Sequence, residues 1–121
     1  MPAKPIDLEK ILTHQREFVR ARDWEKFHTP KNLAMALSGE AGELVELFQW
    51  LTAEESTQLT QNPEKAQALR HELADIFFYL LRLTDHFKID LEAALWEKFE
   101  QNAKKYPVEL SRGNAKKYTE L

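Results

Sequence analysis

Four carboxylates lie on the apolar sides of two helical stretches, and any fold this chain adopts has to accommodate them. Glu40 and Glu43 stand three residues apart, as do Glu72 and Asp75. At 100° per residue, Glu40 falls in the middle of the face made by Leu33, Leu37, Leu44, Leu47 and Leu51, with Glu43 one turn on. Glu72 falls between Tyr79 and Leu83, beside Leu69, Ile76 and Leu80, with Asp75 again a turn away. Two acidic pairs on two apolar faces are expected to meet. Burying a lone carboxylate costs several kcal/mol even after relaxation, and two of them about 4 Å apart repel by roughly 4 kcal/mol at an effective dielectric of 20. Acid pairs at this spacing commonly form a solvated face or partner Lys and Arg, but a solvated face would be flanked by Lys, Gln and Ser; these acids are flanked by Leu and Ile, which favours a bound metal ion. With no Cys in the chain and no His at a matching spacing, hard oxygen ligands favour Mg²⁺, with Mn²⁺ as the alternative, over zinc or copper. Glu46 continues the series at the edge of the face, as a supporting or solvated acid.

The 121 residues make one domain with little length to spare. Only 3 Gly and 5 Pro, frequent Leu, Ala, Glu and Lys, and few runs of Val, Ile or Thr predict an all-α chain. The absence of Cys excludes a disulfide scaffold and a thiol nucleophile. Met1-Pro2-Ala3-Lys4 carries no apolar stretch resembling a signal peptide, and the longest apolar run, Ile76 to Leu81, is far too short to span a bilayer. A cytoplasmic protein is expected. The net charge of −3 conceals an asymmetry: from Lys98 onward there are six basic and three acidic residues, whereas the first 97 carry −6. An acidic body with a basic tail suits a phosphorylated ligand and lacks the basic excess of a nucleic-acid binder.

Cap signals predict four long helices packed as a bundle. Asp7 caps the first, which ends near Arg22; Thr29-Pro30 starts the second, running to about Leu51; Asn62-Pro63 starts the third, reaching roughly His86; Asp90 caps the fourth, which ends before Pro107. Residues 53–62 read as a polar connection. Residues 107–121 read as an extended basic tail, turning at Ser111-Arg112-Gly113-Asn114. The third helix is apolar on two sides, because Phe77 and Leu81 point away from the Glu72 face. A helix apolar all round is buried on both sides, so a homo-oligomer is expected unless the first helix covers that second side. Gly39 and Gly42 inside a helix, each costing about 1 kcal/mol relative to Ala, predict a close approach by a neighbouring helix or by substrate.

These residues resemble the MazG-like all-α nucleoside triphosphate pyrophosphohydrolases, whose signature E-x-x-E, spacer, E-x-x-D reads here as Glu40-Ala41-Gly42-Glu43 and Glu72-Leu73-Ala74-Asp75. Further blocks resemble the dCTP pyrophosphatase branch: Arg22 through His28, Asn32-Leu33, Glu46 through Trp50, Lys105-Tyr106-Pro107 and Lys117-Tyr118-Thr119. The resemblance implies hydrolysis of a nucleoside triphosphate, dCTP or a modified dCTP, to the monophosphate and pyrophosphate. It also implies Mg²⁺ on Glu40, Glu43, Glu72 and Asp75, and a tetramer. Trp24, Trp50 and Tyr79 match aromatic positions that face the base, and Trp24, Glu25, Lys26, Phe27 and His28 match the substrate-contacting segment. Gln15 stands where some relatives carry a His near the base. Lys98 and Asn102 match positions near the ligand, and Lys105 and Arg112, with Lys116 and Lys117, are candidates for the phosphates. A di-iron carboxylate bundle is the rival enzyme, but it uses Glu-x-x-His, whereas His71 directly precedes Glu72. A non-enzymatic helical interaction module is the rival of another kind and predicts no metal dependence.

Overall fold

The computed structural model describes residues 3–121, so Met1 and Pro2 of the stretch read as lacking a leader lie outside the described residues. All regular structure among the described residues is helical: α1 (Leu8–Ala21), α2 (Pro30–Phe48), α3 (Ala53–Ser56), α4 (Pro63–Phe87), α5 (Leu91–Lys105) and α6 (Val108–Ser111), with short 3₁₀ turns. The predicted starts hold because each has a side-chain acceptor for an otherwise unpaired amide. Asp7 accepts from Lys10 N, Thr29 from Asn32 N, Asn62 from Glu64 N and Lys65 N, and Asp90 from Ala93 N. No helix among the described residues is long and apolar enough to cross a membrane.

The chain divides into a first unit ending at Phe87 and a second from Lys88 to Leu121. The predicted long helices are therefore α1, α2 and α4 in the first unit and α5 in the second. In the first unit α2 packs along α4, α1 also meets α4, and the 3₁₀ turn Leu59–Gln61 closes against α4. Its core is small: Val19, Leu33 and Leu81 are fully buried, and Leu59 nearly so. Full burial of such side chains contributes about 1.5–3 kcal/mol each. In the second unit, Tyr118 packs edge-on to Tyr106 at 6.2 Å and lies under the Lys105 ammonium at 4.9 Å.

Several expectations change. The polar connection contains α3, whose Thr52 and Glu55 form a reciprocal capping box. The tail is not extended throughout: α6 and a 3₁₀ turn at Tyr118–Glu120 interrupt it. Its predicted bend is real, with Gly113 at φ 79°, a left-handed conformation that favours glycine. The second apolar side of α4 is met by α1 of the same chain, since Leu81 is only 1 % exposed and Arg16 of α1 binds Asp85 of α4. α1 thus covers Leu81, while Phe77 on the same side stays half-exposed. A Cβ added at Gly39 or Gly42 would meet nothing within 4 Å, so the close approach expected there is not made within this chain.

Candidate metal and nucleotide site

Pairing α2 with α4 brings the two acidic motifs together. Glu40, Glu43 and Glu72 each offer a carboxylate oxygen, and these oxygens all lie within 4.8 Å of one another. Glu40 and Glu72 are half-buried, and Glu43 is exposed. One oxygen of Glu40 and one of Glu72 are buried without any hydrogen-bond partner, and no ion pair to Lys or Arg reaches these three acids among the described residues. Burial, followed by the crowding of Glu72, Glu43 and Asp75, pushes Glu40 from 4.5 up to about 7. Two orphaned carboxylate oxygens, and a Glu40 that holds a proton near neutrality for want of a counter-charge, fit a hard divalent cation.

Asp75 is exposed and stands outside the tight trio, yet its charge adds to the burial that raises both Glu40 and Tyr79. It also lines a neighbouring cavity of about 870 Å³ together with Gln15, Phe18, Trp24, Phe78 and Tyr79. Asp7, Lys10 and His14 line a polar part of it, and Phe18, Trp24, Phe77, Phe78 and Tyr79 make another part of its wall aromatic. Trp24 reaches it because Asp23, at φ 54°, reverses the chain after α1, and the Trp24 amide then donates to Val19 O at 3.1 Å. Phe18 meets Trp24 edge-on at 5.9 Å, and Phe78 meets Tyr79 edge-on at 5.1 Å. Into this wall α1 sets Gln15, which is 4 % exposed and whose amide nitrogen has no partner. A buried donor left unpaired costs about 1–3 kcal/mol, an expense that an acceptor on a ligand would remove.

The other candidates lie elsewhere. Glu25 pairs with Arg20 at 3.2 Å and Lys26 with Asp23 at 2.8 Å, both on the surface. Phe27 is exposed under the Lys26 ammonium. His28 backs the cavity wall without lining it. Trp50 is 87 % exposed and, with Glu46, borders a different cavity of about 1060 Å³ that includes Leu47, Leu51 and Glu55. Glu46 is exposed and stands outside the trio. Lys98, Asn102, Lys105 and Arg112 belong to the second unit; Lys98 and Arg112 are exposed and Asn102 is half-buried.

Sequence reasoning passed over Arg82 and Asp85. A guanidinium inside Leu80-Leu81-Arg82-Leu83 is the same kind of conflict that exposed the four acids and would have flagged it.

Comparison with known proteins agrees with this geometry. Residues 35–121 match the MazG-like family. The chain is 48 % identical over 114 residues to dCTP pyrophosphatase 1 of Bos taurus, covering 94 % of this chain and 68 % of that protein. It is 45 % identical to dCTP pyrophosphatase 1 of Homo sapiens over the same length, covering 67 % of that protein. A crystal structure of a pyrophosphatase from Archaeoglobus fulgidus superposes with a TM-score of 0.77 at 38 % identity, covering 88 % of this chain and 98 % of that one.

Proposed function

The chain belongs to the MazG-like family, in its dCTP pyrophosphatase branch, and from that premise we propose that it hydrolyses dCTP or a modified dCTP to the monophosphate and pyrophosphate, in nucleotide-pool house-cleaning. The observation that carries this reading is the carboxylate trio without a cationic partner, linked through Asp75 to an aromatic cavity sized for a base and sugar.

Glu40, Glu43 and Glu72, with Asp75 beside them, would hold Mg²⁺, Mn²⁺ serving as a substitute, and the ion would neutralise the triphosphate and lower the pKa of a water. The remaining work falls to side chains. Water adds its oxygen to a phosphorus of the α–β bridge, that bridge breaks, and the monophosphate, pyrophosphate and a proton leave. Glu43, the exposed member of the trio, is the carboxylate that an incoming water reaches and the acceptor for its proton. No side-chain nucleophile is needed, which agrees with the lack of Cys. Trp24 and Tyr79 offer flat faces to the base, and the Gln15 amide nitrogen donates to one of its ring or carbonyl acceptors. The family resemblance names Lys98, Asn102, Lys105 and Arg112 as further candidates for sugar and phosphates, and Trp50 as a further candidate for a base. Exposed apolar residues such as Met35, Val45, Trp50 and Trp96 support a homo-oligomer, a tetramer in this reading, located in the cytoplasm, with no nucleic-acid partner.

Incubation with dCTP and Mg²⁺, followed by separation of products, tests the proposal. dCMP and pyrophosphate are expected, with no turnover in EDTA. Release of dCDP and inorganic phosphate would overturn it in favour of a different phosphohydrolase, and no turnover across the common and 5-substituted nucleotides would overturn it in favour of a non-enzymatic helical module.

A further inference from the structure

Behind the aromatic wall runs a chain of polar contacts that the reaction above does not use. Arg16 of α1 grips Asp85 of α4 through Nε at 2.8 Å and Nη2 at 2.6 Å. Asp85 Oδ2 lies 3.9 Å from Arg82 Nη1, and Arg82 Nε donates to His28 Nδ1 at 3.2 Å. The Arg82 and Asp85 side chains are only 13 % and 18 % exposed, so solvent screens them little.

A guanidinium has only N–H groups to offer. His28 Nδ1 must therefore act as the acceptor, and the neutral ring carries its hydrogen on Nε2. Protonating Nδ1 would set two donors against each other. Burial and the Arg82 charge both favour the neutral ring.

The ring so fixed is the hub of the wall. Its centroid lies 6.3 Å from Trp24, 6.3 Å from Phe78 and 6.4 Å from Tyr79, and all three line the cavity while His28 does not. Trp24 and His28 share one tight turn, in which the His28 amide donates to Trp24 O at 3.2 Å. The turn is tied to α2 by Asn32 Nδ2 donating to Phe27 O at 3.0 Å. It meets α4 through the packing of His28 on Phe78 and Tyr79 and through the Arg82–His28 hydrogen bond.

We propose that Arg82 is a positioning residue: by holding His28 as the Nε2–H tautomer against α4, it sets the gap between Trp24 and Tyr79 in which the substrate's base is held. Arg82 itself touches no substrate. The role of the gap rests on the nucleotide reading above; the tautomer does not.

Long-range ¹H–¹⁵N NMR of the imidazoles in the full chain reads the tautomer directly. The wild type should show His28 protonated on Nε2 alone at neutral pH, and Arg82→Ala should show a mixture of both tautomers. With dCTP and Mg²⁺, KM should rise about tenfold in Arg82→Ala, the loss of one charge-assisted hydrogen bond. The kcat should stay within about twofold, since the carboxylate trio is untouched, a split that general loss of structure would not give. Arg82→Met keeps the alkyl stem without a donor and should give the same rise, which guards against a folding failure of the Ala variant. Arg82→Lys keeps a donor and should bring KM back to within about threefold of wild type. Finding His28 protonated on Nδ1 in the wild type would overturn the proposal. So would an unchanged KM in Arg82→Ala and Arg82→Met despite a shifted tautomer, or a fall in kcat with KM constant. If the wild type turned over no nucleotide, the gap would lose its substrate and that half of the proposal would fail with it, while the wild-type tautomer would still decide the Arg82–His28 bond.

Discussion

Glu40→Gln should stabilise the metal-free protein at pH 8 and do nothing for it at pH 5. Glu40 is raised from 4.5 to about 7 by burial and by Glu72, Glu43 and Asp75. The folded state therefore holds a proton that the unfolded chain has released. Its stabilising contribution is complete below about pH 4.5 and is lost as pH rises through 7. At 1.36 kcal/mol per pH unit, the full shift corresponds to about 3 kcal/mol, and solvent access to a half-buried group reduces that to about 1–2 kcal/mol. Gln carries no charge at either pH, so it removes this penalty above pH 7 and merely mimics the protonated acid at pH 5. For a chain of 121 residues, 1 kcal/mol moves Tm by about 4 °C. Melting followed by circular dichroism in EDTA, at matched protein concentration, should show Glu40→Gln about 4–8 °C above wild type at pH 8 and level with it at pH 5. A Gln variant that melts below wild type at pH 8 would mean that Glu40 is held by a favourable partner, and the case for a vacancy in charge at the trio would be lost.

Other outcomes follow from the same geometry. Because the Glu40 proton competes with metal, Mg²⁺ affinity measured by calorimetry should weaken below about pH 7, approaching tenfold per pH unit; an affinity flat from pH 6 to 8 would contradict this. Gln15→Leu removes a donor with no protein partner, so Tm should hold or rise while kcat/KM for dCTP falls about 10- to 100-fold. Unchanged kcat/KM would make Gln15 a packing residue only. Trp24→Ala should raise KM for dCTP by about tenfold or more through lost stacking, with far-ultraviolet circular dichroism unchanged; an unaltered KM would remove Trp24 from the base site.

The helices were legible where a cap residue and an apolar period agreed, as at Asp7, Thr29-Pro30, Asn62-Pro63 and Asp90. The acids Glu40, Glu43 and Glu72 were legible for the opposite reason, because charge and apolar neighbours conflicted. The short helices α3 and α6 were not, since four residues carry too little periodicity to outweigh a polar composition; α3 depends on the Thr52–Glu55 capping box. The cover over Leu81 was ambiguous because α1 presents Gln15 and Arg16 on the side that meets α4, and a search for apolar partners passes over them. Arg82 carried a local signal, a charge among leucines, but its role did not, because its acceptor, His28, is 54 residues away and no local pattern couples them. Gly39 and Gly42 suggested a close neighbour, and one chain supplies none.

The central claim is that carboxylates from α2 and α4 gather to hold a divalent metal. Anomalous scattering from crystals grown with Mn²⁺ and dCMP tests it most directly. A peak in contact with the carboxylates of Glu40, Glu43 and Glu72 is predicted, and it should vanish in Glu40→Gln. A trio free of Mn²⁺, with its acids turned to lysines or bulk water, would contradict the claim.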